Sequence, residues 1–481
     1  MRCKKHIDSF RGAERKQILK KLSPFVFILI LLFSSSCKME KTNTEEETFD
    51  FDQIKEKGEL NILTLPGSMS YFIYKGEPRG YEYELIKSFA DSHNLKLNIR
   101  IADNVNHLNE MLEKKEGDII AFNISITNSG KDSLIYTGRE VINHQVLVQR
   151  ASREDLLIKD VTELIGKEIW VIHNTKYYHR LINLNKELGG GILIKTIDKD
   201  TITTEDLIEM VSKGEISYTV SENDLAQLNK TYFRNLNIKL SIGHSQRSSW
   251  AVRKTSPLLA QEVNKWIKEN DNTPSYKSIN KRYFEMSKLP GDEPAPLLSP
   301  GQISPYDEYF KKYAAKINWD WCLLASIAFQ ESKFHTDRVS WAGATGLMGL
   351  MPRTAEAMGI TPAEAYEPEA SIRAATELIR RLIRSFSHVE DENERIKFIL
   401  AAYNAGSGHI YDGQALAKKY GKDPNIWTGN VEEFIKLKNL PEYYNDPVAK
   451  QGYFKSRETI SYVQNVIERW KYYREELNLK N

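Results

Sequence analysis

The sequence predicts a multidomain protein, an α/β domain followed by a mainly α-helical one. Three observations lead there. Between Phe51 and about Leu289, short β-type runs alternate with amphipathic helical segments. At Leu289–Pro305, five prolines and two glycines fall within 17 residues, the composition of an interdomain linker. Beyond it no convincing strand recurs, and the chain is rich in Ala, Arg, Glu and Tyr. The 481 residues are 41% hydrophobic and 27% charged, which argues against mainly disordered, collagen-like and disulfide-scaffold classes.

The chain opens on a basic leader. Residues 1–36 hold eight Lys/Arg and two Asp/Glu, so the remainder carries a net −4. A nucleic-acid binder keeps its basic excess in the folded body, so no nucleic-acid partner is expected. Phe25–Phe33 are nine apolar residues, the length of a signal-peptide core and well short of the ~20 that span a bilayer. Ser34, Ser35 and Ser36 then precede Cys37. This resembles a bacterial lipoprotein signal, although Ser34 stands where Leu or Val is usual. The resemblance implies a signal peptide over 1–36, lipidation at Cys37, a polar tether over 37–50, and anchoring in the outer membrane facing the periplasm. Cys3 would leave with the leader, so only Cys322 would remain and no disulfide is expected.

In the first domain, over 51–288, the expected strands are Leu60–Leu63, Leu97–Ile101, Asp118–Ala121, Lys167–Ile172 and Ile192–Ile197. The expected helices are Tyr83–Ala90, His107–Lys115 and Thr204–Lys213. Some 240 residues are comfortable for two lobes. The runs GELNILT, RGYEYELIKSFADSHNLKLNI, GDIIAFNISIT, IGKEIWV and SSWAVRKTSPLLAQEVNKWI resemble extracellular solute-binding proteins of amino-acid transport. That resemblance implies a two-lobed periplasmic-binding-protein fold with a ligand cleft and crossing segments near Asn143–Gln145 and Gly243–Gln246. Amino-acid binders usually carry an Arg after the Ile-Thr pair, whereas Ile126-Thr127 is followed by Asn128-Ser129-Gly130-Lys131. Where an Asp commonly meets the ligand's ammonium, Ser221 stands. With both anchors altered, a stem peptide, a muropeptide or no ligand is expected in place of a free amino acid.

The second domain, over 306–481, starts its chemistry at Trp319–Phe334 (WDWCLLASIAFQESKF). Leu323, Leu324, Ile327 and Ala328 form an apolar stripe that Glu331 continues at helical spacing. A carboxylate on an apolar face is disfavoured when charged, which suits a general acid near neutral pH. Gly343–Leu350 (GATGLMGL) is a loop with three glycines where backbone can approach a ligand. Ala401–Gly406 (AAYNAG) closes another apolar helix, and Glu458–Val466 (ETISYVQNV) is an amphipathic helix that aims Tyr462 inward.

Together these four motifs resemble the lytic murein transglycosylases with a goose-lysozyme-like catalytic domain. The architecture as a whole resembles the F type of the membrane-bound members. The resemblance implies that Glu331 is the sole catalytic acid/base and that Ser332 orients it or the sugar N-acetyl group. It further implies that Met348 packs on the glycan, that Tyr403 and Asn404 contact saccharide, and that Tyr462 approaches the carboxylate and the scissile bond. Relatives often carry Gln after Gly-Leu-Met; Gly349 stands here. The implied substrate is peptidoglycan, cut between N-acetylmuramic acid and N-acetylglucosamine to leave 1,6-anhydromuramoyl ends. A hydrolytic muramidase and a non-catalytic binding lipoprotein are the competing expectations. No His/Cys/carboxylate grouping has metal-site spacing, so neither metal nor cofactor is expected.

Overall fold

The computed structural model describes residues 49–152, 156–197, 202–288 and 301–477. The leader with Cys3 and Cys37, and linker residues 289–300, lie outside these. Among the described residues no helix is long and apolar enough to cross a membrane.

The α/β part is two lobes, each built on a five-stranded sheet. The first sheet runs β4-β1-β5-β12-β6, from β1 (Glu59–Thr64), β4 (Lys96–Ile101), β5 (Ile119–Ser125), β6 (Leu134–Asn143) and β12 (Gln246–Arg253). β1 pairs in parallel with β4 and β5, while β12 runs antiparallel between β5 and β6. β5 extends four residues past the expected Ala121 because its far end pairs with β12, Ser125 opposite Ser248. The second sheet runs β11-β7-β10-β8-β9, from β7 (Gln145–Arg150), β8 (Glu168–Ile172), β9 (Leu193–Ile197), β10 (Tyr218–Glu222) and β11 (Leu236–Asn237). The chain passes between lobes at His144, between β6 and β7, and at Gly243–His244 ahead of β12, where the crossings were expected.

Helix α1 (Tyr81–Ser92) covers the first sheet by burying Tyr81, Leu85, Ile86 and Phe89, an i, i+4, i+5, i+8 face. Helix α2 (Thr204–Lys213) covers the second with Leu207, Ile208 and Val211, and Thr203 and Asp206 form its capping box. One element was not anticipated. β2 (Phe72–Tyr74) and β3 (Glu77–Arg79) form a separate hairpin whose two-residue turn is Lys75-Gly76. Both turn residues have positive φ, 49° and 77°, as the tight primed hairpin turns require.

The helical part packs around α3 (Trp321–Ser332), whose Leu323, Leu324, Ile327 and Ala328 are fully buried in a single core. Around it stand α4 (Pro368–Ser385), α5 (Glu392–Ala405), α6 (Ser407–Lys419) and α7 (Arg457–Glu476). Ile303, inside the expected linker, already belongs to this core. The two parts are in contact: Trp341 and Ala342 of the helical part are buried in the core beneath the first lobe's sheet.

Candidate active site

Glu331 lies in the last turn of α3, and the chain then reverses through two residues in left-handed conformation, Lys333 (φ 51°) and Phe334 (φ 68°). Such backbone is unusual for residues with side chains and concentrates at functional sites. The carboxylate opens on a cavity of about 390 Å³ walled by both parts of the molecule. Asn404, Ala405, Glu458, Thr459 and Tyr462 line it from the helical part, and Tyr74 and Lys75 from the hairpin tip. Lys75 Nζ donates to both oxygens of Glu331, at 3.1 and 3.0 Å, and to the carbonyl of Gly349 at 3.4 Å. The two paired side chains are 8% and 9% exposed, so the pair is all but closed to water. The carboxylate therefore meets an ammonium, not the bare apolar wall its helix face suggests.

A second carboxylate shares the cavity. Glu458 accepts a hydrogen bond from the Tyr74 hydroxyl at 3.0 Å. Burial pushes its carboxyl above the ordinary range and the nearby Glu331 charge adds to that, while Lys75 and Tyr74 oppose it. Burial first, then the Glu331 charge, holds the Tyr462 hydroxyl far above its usual range, so it stays a neutral phenol. That hydroxyl is buried and faces the carboxylate.

Comparison with known proteins fits both parts of this arrangement. The family model for the transglycosylase SLT domain matches residues 308–426, and that for bacterial extracellular solute-binding proteins, family 3, matches residues 60–286. A membrane-bound lytic murein transglycosylase F of Desulfosudis oleivorans is 30% identical over 432 residues, 86% of this chain and 90% of that one. The chain belongs to this family. The Pseudomonas fluorescens member is 28% identical over 443 residues, 91% of this chain and 87% of its own. Among solved structures, substrate-binding domain 2 of Lactococcus lactis GlnP, in its open conformation, is 18% identical. It covers 48% of this chain and 97% of its own, with a TM-score of 0.41.

Within this family member, the side chains of Ser332, Met348 and Tyr403 turn away from the cavity, Met348 and Tyr403 against the expectation that they meet the glycan. Ser332 is fully buried and its hydroxyl donates to the carbonyls of Leu347 (2.8 Å) and Ala328 (3.1 Å), pinning the glycine-rich loop to the helix end. Met348 is fully buried in the helical core. The Tyr403 hydroxyl donates to the Met348 carbonyl at 2.7 Å, so this ring braces the loop from behind. All three orientations follow from packing: each side chain has a core or carbonyl partner that a position facing the cavity would forfeit. Asn404 and Tyr462 do line the cavity, and the Thr459 hydroxyl fixes Asn404 by donating to Oδ1 at 2.6 Å.

Two residues escaped the sequence reading. Glu458 was visible only as the first letter of its motif, and Lys75 had one available signal, a Lys-Gly pair between short β-type runs. Among the described residues, no group of three or more His, Cys, Asp or Glu could hold a metal ion.

The cleft between the lobes is a second cavity, of about 400 Å³. Glu82, Glu205, Glu222 and Asp224 line it, with Lys176 the only basic residue among the described residues of its walls. Ser221, expected at the ammonium position, is fully buried with its hydroxyl on the Glu222 carbonyl; Glu222 and Asp224 take the wall instead. β10 alternates its faces, so the reading was off by one residue. Glu82 accepts from Asn123 and Trp250, and burial pushes its carboxyl up to about 8. Tyr444 and Tyr453 of the helical part also line this cleft.

Proposed function

We propose that this chain is a peptidoglycan lytic transglycosylase with Glu331 as its acid and base. The observation that carries the reading is the Glu331 carboxylate at the end of an apolar helix, opening on a cavity that Tyr462 and Asn404 share. In this reading Glu331 protonates the glycosidic oxygen between N-acetylmuramic acid and N-acetylglucosamine. The 2-acetamido group supports the developing oxocarbenium centre. Glu331, now a carboxylate, takes the proton of the muramoyl 6-hydroxyl as that oxygen attacks the anomeric carbon. The bond breaks without water as nucleophile and leaves a 1,6-anhydromuramoyl end. Tyr462 stays protonated and is placed to donate to the carboxylate or to the substrate.

The solute-binding part reports on the wall. With Lys75 seated on Glu331, the described arrangement is a resting one that keeps glycan away from the acid. The acid-lined cleft suits a ligand bearing ammonium groups, which stem peptides and muropeptides carry. Such a ligand biases the catalytic part only through its different affinity for the resting and open arrangements. A lipid on Cys37 would hold the enzyme at the outer membrane, facing the periplasm.

Digestion of purified sacculi by the full chain, followed by mass spectrometry, tests the reaction. Anhydromuramoyl ends support it, whereas reducing ends would make the enzyme a hydrolase and intact strands a binding protein.

A further inference from the structure

We infer that Gly349 is a positioning residue for the catalytic acid: its missing side chain is the space in which the Glu331 carboxylate turns to meet Lys75. The inference rests on the proposed role of Glu331 and concerns the resting arrangement of that same group. A Cβ placed on Gly349 would fall 2.1 Å from Glu331 Oε2, 2.8 Å from its Cδ and 3.1 Å from its Cβ. Contacts that short do not occur, so with any side chain at 349 the carboxylate has to leave. The backbone there has φ +58°, and its carbonyl receives the same Lys75 ammonium at 3.4 Å. Gly349 thus makes both the room and part of the cradle for Lys75.

The hairpin tip is built for this seat. Lys75 takes left-handed backbone, where a short polar residue would be easier. The neighbouring Gly76 lies against Gly406, whose own Cβ would sit 3.2 Å from the Gly76 nitrogen. A side chain at Gly406 would press the tip outward by a few tenths of an ångström.

The carboxylate has a second place to go. The Tyr462 hydroxyl lies beside it on the cavity wall. Turning away from Lys75 leaves the carboxylate with the Tyr462 hydroxyl as its donor. An oxygen pair engaged by an ammonium cannot also present a proton to a glycosidic oxygen, so the two positions divide resting from working enzyme. Gly349, where relatives often have a glutamine, permits the resting one.

The test is steady-state cleavage of a soluble glycan-strand fragment by the full chain. It compares wild type, Lys75→Met, Gly349→Ala and the double variant. A plug that competes with substrate raises the apparent KM by the reciprocal of the open fraction, so removing it lowers KM. Both single variants are expected to lower KM, by about 5–150-fold for a coupling of ordinary size. The double variant should go no lower than either single, because both act through one contact. An unchanged KM for Gly349→Ala, or single effects that multiply in the double, would overturn the inference. If Gly349→Ala melts early, Gly349→Asn repeats the comparison with a residue that accepts left-handed backbone. A Glu331→Gln variant with wild-type turnover would sink the assignment of the acid instead, independently of these KM values.

Discussion

Replacing Trp341 by alanine should uncouple the catalytic part from the solute-binding part. Trp341 belongs to the helical part, yet it is 3% exposed and buried in the first lobe's core. Its ring lies 5.0 Å from Tyr74, 5.8 Å from Tyr283 and 6.3 Å from Phe72, with the Lys288 ammonium 4.3 Å above it. A buried tryptophan hides on the order of 200 Å², worth ~5 kcal/mol at about 25 cal/mol per Å². Its Nε1 is buried without a partner, which takes back about 1–3 kcal/mol. The net is roughly 2–4 kcal/mol. Lys75–Glu331 is the buried polar link between the parts, and the remaining ion pairs are smaller. Lys455–Glu205 and Arg457–Asp206 are partly exposed ion pairs, and contacts of that kind typically contribute about 0–1 kcal/mol each. The tryptophan is therefore the chief apolar anchor of the interface. By differential scanning calorimetry, the wild-type chain should melt with its two parts coupled. The Trp341→Ala chain should split into two transitions, the lower displaced by roughly 5–10 °C. A single transition within a degree of wild type would refute the reasoning and make Trp341 a passive surface filler.

Three further outcomes are expected. Glu331→Gln should lose at least ~10²–10⁴-fold in anhydromuropeptide release, with glycan binding retained, because in the proposed reaction the same group serves as acid and then as base. Lys438→Met should destabilise the helical part by ~3–5 kcal/mol in urea titration. Lys438 is fully buried on Asp412 and His409, and the variant leaves Asp412 charged with only the Lys450 and Gln451 backbone N–H groups. The third concerns pH. The folded chain holds the Glu82 proton up to about 8 against an ordinary 4.5, so between those values it binds more protons than the unfolded chain. Stability must then fall as pH rises through that window, and Glu82→Gln should flatten the fall. The slope of the unfolding midpoint between pH 5 and pH 8 is the readout, and equal slopes in the two proteins would contradict the assignment.

What could be read directly was whatever repeats within a few residues. Apolar spacing located α3 and put Glu331 on its inner stripe, and alternating strand and helix runs marked the layered domain. Thr204–Lys213 was found to the residue, since its caps and its face lie within one segment. The crossings at His144 and Gly243–His244 were legible for the same reason, through the family pattern of the strands beside them. Side-chain direction was less legible. Ser332, Met348 and Tyr403 sit in recognisable motifs, but whether each faces sugar or core depends on carbonyls and apolar neighbours from other elements. The off-by-one at Ser221 has the same root, because a strand's two faces look alike until another layer covers one of them.

By itself the sequence determined the order of the two domains, the helix that carries the acid and the loop and helices that surround it. All of these follow from local periodicity and from motif spacing. Only the tertiary structure decided what stands against the acid. Lys75 is 256 residues away from Glu331 in the chain, and no periodicity links two positions that far apart. Their meeting depends on the close approach of bare backbone at Gly349 and Gly406, and on Trp341 anchoring the catalytic part in the first lobe's core. Those are contacts of shape, and shape exists only once both domains have folded.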